Sequence, residues 1–355
     1  MSETTQQGHR TFPHLAAEAF VSDTDKAALT NLQKMPLLPM LVRKFNEFAA
    51  DRIFYVQNSE RAARCGPNQF GTLHGILKEA CDVLHVAEPE LYLMYSESFN
   101  AYTAGVNRTF VVLHSALADD FTDEELLFVI GHELGHIKCG HVLYQMLGRL
   151  LLPLLEALGQ ATLGLGQLAG IGLVSGFYEW MRQAEFSCDR AGLLACQNPR
   201  VAMSAIMKLG CGSTRFNAEM NVDTFLEQAR AHAESGGLEG AAKALLFLMY
   251  NWQLSHPQTV FRAKGLDDWI TKGHYEKILN GEYARDVTGA TQLGEQKTCP
   301  NCKMVVGATV KFCPQCGQNL QPEALAAPTT GNRCKNCGAE MPAGIKFCME
   351  CGTLA

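Results

Sequence analysis

One stretch constrains this chain more than any other: Val129-Ile130-Gly131-His132-Glu133-Leu134-Gly135-His136-Ile137. Two histidines four residues apart sit in an apolar run, with a glutamate directly after the first. An α-helix turns once in 3.6 residues, so His132 and His136 stack on one face. Two imidazoles so placed can grip one Zn²⁺, with Glu133 near the ion's open side. A plain core helix with two satisfied histidines is the alternative. It leaves the Glu133 carboxylate without a buried partner, which is costly.

The flanks agree with a helix. Thr122-Asp123-Glu124-Glu125 has capping-box spacing and places acids in the first turn. Leu126, Leu127, Val129, Ile130, Leu134 and Ile137 then recur as a buried helix requires.

A catalytic zinc takes three protein ligands and keeps one position for water. His141 is one candidate, but Gly140 and His141 are displaced from the offsets of the H-E-x-x-H-x-x-G-x-x-H pattern. His141 is therefore read as a helix-surface histidine. Glu185 is the better candidate. It lies on a downstream helical stretch with Asp189 one turn on, the arrangement of a gluzincin, in which the glutamate binds zinc and the aspartate orients a ligand histidine.

The 355 residues suffice for a large domain plus smaller ones. A formal net charge of -6 gives no general nucleic-acid signal. Of the 14 cysteines, eight form four C-x-x-C pairs beyond residue 298. The others (Cys65, Cys81, Cys139, Cys188, Cys196, Cys211) are scattered singly, which fits a reducing compartment and metal binding. The first thirty residues hold no signal-peptide h-region. These features point to the cytoplasm.

Residues 1–25 read as a loosely ordered lead-in and 26–285 as one domain. Helical patterns cover 26–56, 69–86, 180–196, 200–209, 221–234, 238–251 and a segment carrying Arg262. Strands are expected at 91–95 and 109–113, with a turn and short strand over Asn100-Ala101-Tyr102-Thr103-Ala104-Gly105 between them. The expected class is α+β, mainly helical, with a small sheet. The uncharged, glycine-rich run within 150–178 supports two readings: a buried helical hairpin turning near Gly170, which we favour, or a membrane-contacting segment.

In order and spacing, Asn100 to Gly105, Gly131 to His136, Glu185 with Asp189, and Ser255-His256-Pro257 followed by Arg262 resemble the M48 family of zinc metallopeptidases, which includes the HtpX-like enzymes. The resemblance covers residues 12–275. It implies a gluzincin-type domain with endopeptidase activity, zinc on His132, His136 and Glu185, and Glu133 as general base. It also implies His256 near the cleft as a catalytic group, supported by Arg262. A pre-proline turn histidine is the plain alternative for His256, and Tyr102 and Tyr250 are other donors. The strand at Asn100, Ala101 and Tyr102 would bind an extended polypeptide substrate by β-augmentation. No residue fixes a side-chain preference.

The tail is an internal duplication. Cys299, Cys302, Cys313 and Cys316 recur in spacing as Cys334, Cys337, Cys348 and Cys351, and both units share Lys-Phe-Cys-x-x-Cys-Gly. Cys₄ spacing of this kind binds structural zinc, and units so short fold on the metal. They resemble a double zinc ribbon, over 299–319 and 333–355, with linkers at 286–298 and 320–332. Few basic or aromatic residues accompany them, which favours protein partners over nucleic acid. The expectation is thus one catalytic and two structural zinc ions. A non-hydrolytic, chaperone-like binding module is the competing function, but binding alone does not need Glu133.

Overall fold

Strand β4 (Phe110–His114) organises the main domain. In the computed structural model, residues 8–34, 38, 50–106, 108–148, 165–236, 239 and 258–286 are described, with 296–298, 300, 305–307, 332–333 and 340–341 from the tail. The chain divides into two units, Met1–Val287 and Thr288–Ala355.

In the first unit, β1 (Ala62–Arg64), β2 (Glu90–Met94), β3 (Ala101–Ala104) and β4 form one sheet in the order β1-β2-β4-β3. β2 and β4 are parallel, and the outer pairings are antiparallel. Alternation sends Val111 and Leu113 into one apolar cluster and Phe110 and Val112 into another. Burial on both faces explains why β4 reads as an unbroken apolar run. β3 is left at the sheet edge.

The described residues of this unit include the helices α1 (Asp23–Gln33), α2 (Ala50–Ser59), α3 (Gly71–Leu84), α4 (Ser115–Asp120), α5 (Asp123–Lys138), α6 (Leu165–Cys196), α7 (Pro199–Cys211), α8 (Val222–Glu234), α9 (Thr259–Thr271) and α10 (His274–Leu279). Residues 142–148 are also helical. The fold is mainly helical with a small sheet, as expected.

Two expectations are corrected. Residues 8–25 are not a loose lead-in. Phe12, Leu15 and Phe20 are fully buried, Phe12 N donates to Val83 O at 2.9 Å, and Leu15 bridges to Arg285. Three large apolar side chains contribute about 1.5–3 kcal/mol each to docking the segment, alongside its backbone hydrogen bonds. Nor does the chain turn near Gly170. α6 runs unbroken through it. A glycine costs a helix only about 1 kcal/mol, too little by itself to end one. The rest of the 150–178 reading, residues 150–164, lies outside the described residues. Among the described residues no helix is long and apolar enough to cross a membrane.

α5 starts where the sequence says it should. The Thr122 hydroxyl accepts from Glu125 N, and Glu125 Oε2 accepts from Thr122 N at 2.9 Å. The same carboxylate accepts from Lys208 Nζ at 2.8 Å and Ser204 Oγ at 2.6 Å, tying α5 to α7. Burial pushes the Glu125 carboxyl up, but these donors outweigh it and hold it below its ordinary 4.5. A carboxyl depressed on folding stabilises above its unfolded pKa and loses that contribution as pH falls through its native one. Glu125→Ala leaves Lys208 buried and unpaired, so we expect a loss of about 3 kcal/mol at pH 7 in urea unfolding. The gap between variant and parent should narrow below about pH 4.5. A gap that stays constant to pH 3 would contradict this.

In the second unit, β5 (Gln296–Thr298) pairs antiparallel with β6 (Val305–Gly307), and β7 (Asn332–Arg333) with β8 (Glu340–Met341). Each hairpin flanks one C-x-x-C pair, so the duplication is visible in the backbone. The eight cysteines themselves lie outside the described residues.

Candidate active site

Three glycines let α5 and α6 touch. A Cβ at Gly131 would fall 2.4 Å from Ala195 Cβ, and one at Gly135 would fall 2.8 Å from Ala191 Cβ. A Cβ on Gly192 would fall 2.7 Å from Phe128 O. The approach brings Glu185 and Asp189 of α6 under His132 and His136 of α5.

His132 Nε2 lies 3.4 Å from Glu185 Oε2, and His136 Nε2 lies 3.4 Å from Glu185 Oε1. These separations are long for hydrogen bonds. They match the spacing of ligands on a tetrahedral zinc, where bonds of about 2.1 Å put neighbouring donors about 3.4 Å apart. The donor set is two imidazoles and a carboxylate, which suits that ion. Glu185 is 1% exposed, so only a cation or donors can offset its charge. Cys188, one turn past Glu185, also has a ligand atom within 4.8 Å of those of His132 and His136. Burial raises its thiol far above the ordinary value.

Asp189 faces the other side of His132. His132 Nδ1 donates to Asp189 Oδ1 at 3.0 Å, and Arg262 of α9 clasps Asp189 through Nε at 2.9 Å and Nη2 at 2.5 Å. Burial pushes Asp189 up, yet Arg262 and His132 outweigh it and hold the carboxyl below its usual range. Burial also lowers His132, but Glu185 and Asp189 overcome it and push the imidazole up to about 9. His136 goes the other way, because burial there exceeds the pull of Glu185. Arg262 Nη1 is 3.7 Å from Glu185 Oε2, so the guanidinium supports both carboxylates.

The site opens into a cleft of about 350 Å³, lined by Asn100, Ala101, His132, Glu133, Glu185, Arg262 and an apolar wall. Ala101 and Thr103 belong to the strand face toward α5. Tyr102 points to the opposite face, where its hydroxyl bonds Asn58. The Tyr102 side chain thus does not line the cleft, because alternate residues of a strand face opposite ways. His256 and Tyr250 lie outside the described residues.

Sequence reasoning missed two groups. Thr103 Oγ1 donates to Glu133 Oε2 at 2.7 Å, and its only signal was membership of the Asn100–Gly105 stretch. His141 is 1% exposed, not a surface histidine, with its Nδ1 at 3.1 Å from His136 Nδ1. The signal was Gly140, which takes φ +72 and ends α5.

This geometry agrees with the comparisons. The profile described as Peptidase family M48 matches residues 67–270. The chain belongs to peptidase family M48. It is a zinc metallopeptidase, and a second profile, double zinc ribbon, matches 299–352. The M48 chain is 34% identical over 274 residues to a plastoglobule-localized metallopeptidase 48, chloroplastic, of Arabidopsis thaliana, covering 76% of this chain and 77% of that one. It is 26% identical over 285 residues to a protease HtpX homolog of Desulfatibacillum aliphaticivorans, covering 73% and 83%. Over 160 residues it is 24% identical to protease HtpX homolog 2 of Methanosarcina mazei, covering 39% and 54%. No solved structure matches it.

The glycine contact is testable in this M48 domain. Gly131→Ala should destabilise by about 1–3 kcal/mol through overpacking. Zinc analysis of the purified variant should show the site partly empty. Parental melting temperature and zinc content together would contradict the close approach.

Proposed function

We propose that this peptidase is an endopeptidase that hydrolyses extended or misfolded polypeptides, with Zn²⁺ on His132, His136 and Glu185 and Glu133 as general base. The convergence of both Nε2 atoms on the two oxygens of Glu185 carries the reading. It favours Glu185 over Cys188 as third ligand, because one carboxylate lies 3.4 Å from each Nε2. Bound there, zinc supplies Lewis acidity and lowers the pKa of water to about 7.

The chain's own residues do the rest. Thr103 holds Glu133 Oε2, so the proton of the attacking water is taken at Oε1 and later passed to the leaving amine. Asp189 keeps the proton of His132 on Nδ1 and its Nε2 free to ligate, and Arg262 keeps Asp189 charged. β3, at the sheet edge, offers backbone donors and acceptors to an extended substrate along Asn100 and Ala101. His256 remains our choice for the donor to the oxyanion.

The cleft wall adds a preference not legible in the sequence. Phe99, Leu117, Phe128, Val129 and Leu209 line it. An apolar side chain next to the scissile bond fits such a lining, since each buried CH₂ contributes about 0.8 kcal/mol. Sequencing the products of a denatured protein substrate should show apolar residues enriched beside the cut. Enrichment of charged residues would contradict this lining.

The ribbons, with one zinc on each Cys₄ set, are proposed to capture protein, as substrate or partner. The six scattered cysteines are free thiols, which fits a reducing, cytoplasmic setting.

The mechanism predicts a division between two variants. Glu133→Gln should keep all zinc and lose at least about 10²-fold in activity on a fluorogenic peptide. Glu185→Ala should lose one zinc per chain and the same activity. Proteolysis surviving Glu133→Gln, or unchanged zinc in Glu185→Ala, would overturn the assignments. A chain that binds peptides but cleaves none, with or without chelator, would be the binding module instead.

A further inference from the structure

We propose that Asp25 of the N-terminal helix positions the metal ligand His136, acting through His141. The four groups form one buried line. His136 Nδ1 lies 3.1 Å from His141 Nδ1, and His141 Nε2 lies 3.1 Å from Asp25 Oδ2. Ser187 Oγ donates to the same Asp25 oxygen at 2.6 Å and accepts from Ser22 N at 2.9 Å. His136, His141, Asp25 and Ser187 are each at most 2% exposed.

Proton counting gives the line one direction. A neutral imidazole carries one N–H. With Nε2 given to a metal, the proton of His136 sits on Nδ1 and is donated to His141 Nδ1. His141 then carries its own proton on Nε2 and donates it to Asp25. The Gln145 amide, 3.1 Å from His136 Nδ1, offers its oxygen to the same proton once turned that way. The carboxylate–histidine–metal arrangement that Asp189 makes directly for His132 is thus made for His136 with one imidazole inserted.

Local structure holds each part in place. α5 ends in a Schellman motif: Gly140 N donates to Ile137 O at 3.1 Å, and His141 N donates to His136 O at 2.9 Å. Gly140 in the left-handed region folds His141 back over the ring of His136, and the indole of Trp180 closes the far side at 5.6 Å. Ser22 caps α1, accepting from Asp25 N at 3.1 Å. A carboxylate at such depth is expensive unless it serves charge-assisted hydrogen bonds. Asp25 also precedes the segment 67–270 that the family profile matches, so this support comes from outside the matched domain.

The inference rests on His136 being a zinc ligand. Chelator competition on the full-length protein tests both, with the ribbon zincs as internal reference. His136→Ala should empty the site; if it does not, the ligand reading fails. Asp25→Asn should weaken zinc at this site about 10–100-fold, the usual effect of losing an outer partner. Asp25→Glu should recover part of the loss, and the melting temperature of the zinc-free protein should change little. Should Asp25→Asn fail to fold, His141→Phe, which keeps the ring, reads the same weakening. Parental zinc affinity in the folded variant, with His136→Ala empty, would overturn the role of Asp25 alone. A drop in zinc-free stability with unchanged affinity would show a purely structural role and overturn it equally.

Discussion

The site depends on two helices meeting with almost nothing between them. Gly131, Gly135 and Gly192 remove the side chains that would hold α5 and α6 apart. Helices with ordinary contacts pack 8–10 Å apart. The glycine contacts bring the two helices close, and Glu185 of α6 lies 3.4 Å from each of the two imidazoles of α5. The centre is built around that contact: the carboxylate between the rings, the aspartate one turn on, and the arginine behind both.

Such a seam concentrates charge where water is scarce. Glu185, Asp189, Arg262, His132 and His136 are all buried within one cluster. Each charge alone would be costly, and the pairing Asp189–Arg262 neutralises two of them. Glu185 is shared between two imidazoles and lies at 3.7 Å from the guanidinium. A divalent cation at the meeting point of the Nε2 atoms would complete the balance, which is the electrostatic reason such a constellation suits zinc. The sheet contributes from the other side. β4, buried on both faces, fixes β3 at the edge, and β3 in turn places Thr103 against Glu133 and Ala101 along the cleft.

Periodic features were legible in the sequence, and long-range ones were not. The capping box at Thr122, the stacking of His132 on His136, the Glu185–Asp189 pair one turn apart and the strands at β2 and β4 are local patterns with local physics. His141 shows the limit. Its offset ruled it out as a metal ligand, but a surface position did not follow, because Gly140 reverses the chain and buries the ring. The N-terminal segment reads as a loosely ordered lead-in, and three apolar anchors at Phe12, Leu15 and Phe20 nonetheless dock it. The glycines near Gly170 suggested a turn, and the helix continues through them. Tyr102 sat in the right strand, but the pleat turns its side chain away.

The central claim is that one cation sits between two rings of α5 and one carboxylate of α6. Anomalous diffraction from crystals of the full-length protein, collected at the zinc edge, tests it directly. The account predicts a peak about 2.0–2.2 Å from His132 Nε2, His136 Nε2 and a Glu185 oxygen. A peak bonded to Cys188 Sγ with Glu185 turned away, or none between the two imidazoles, would contradict it.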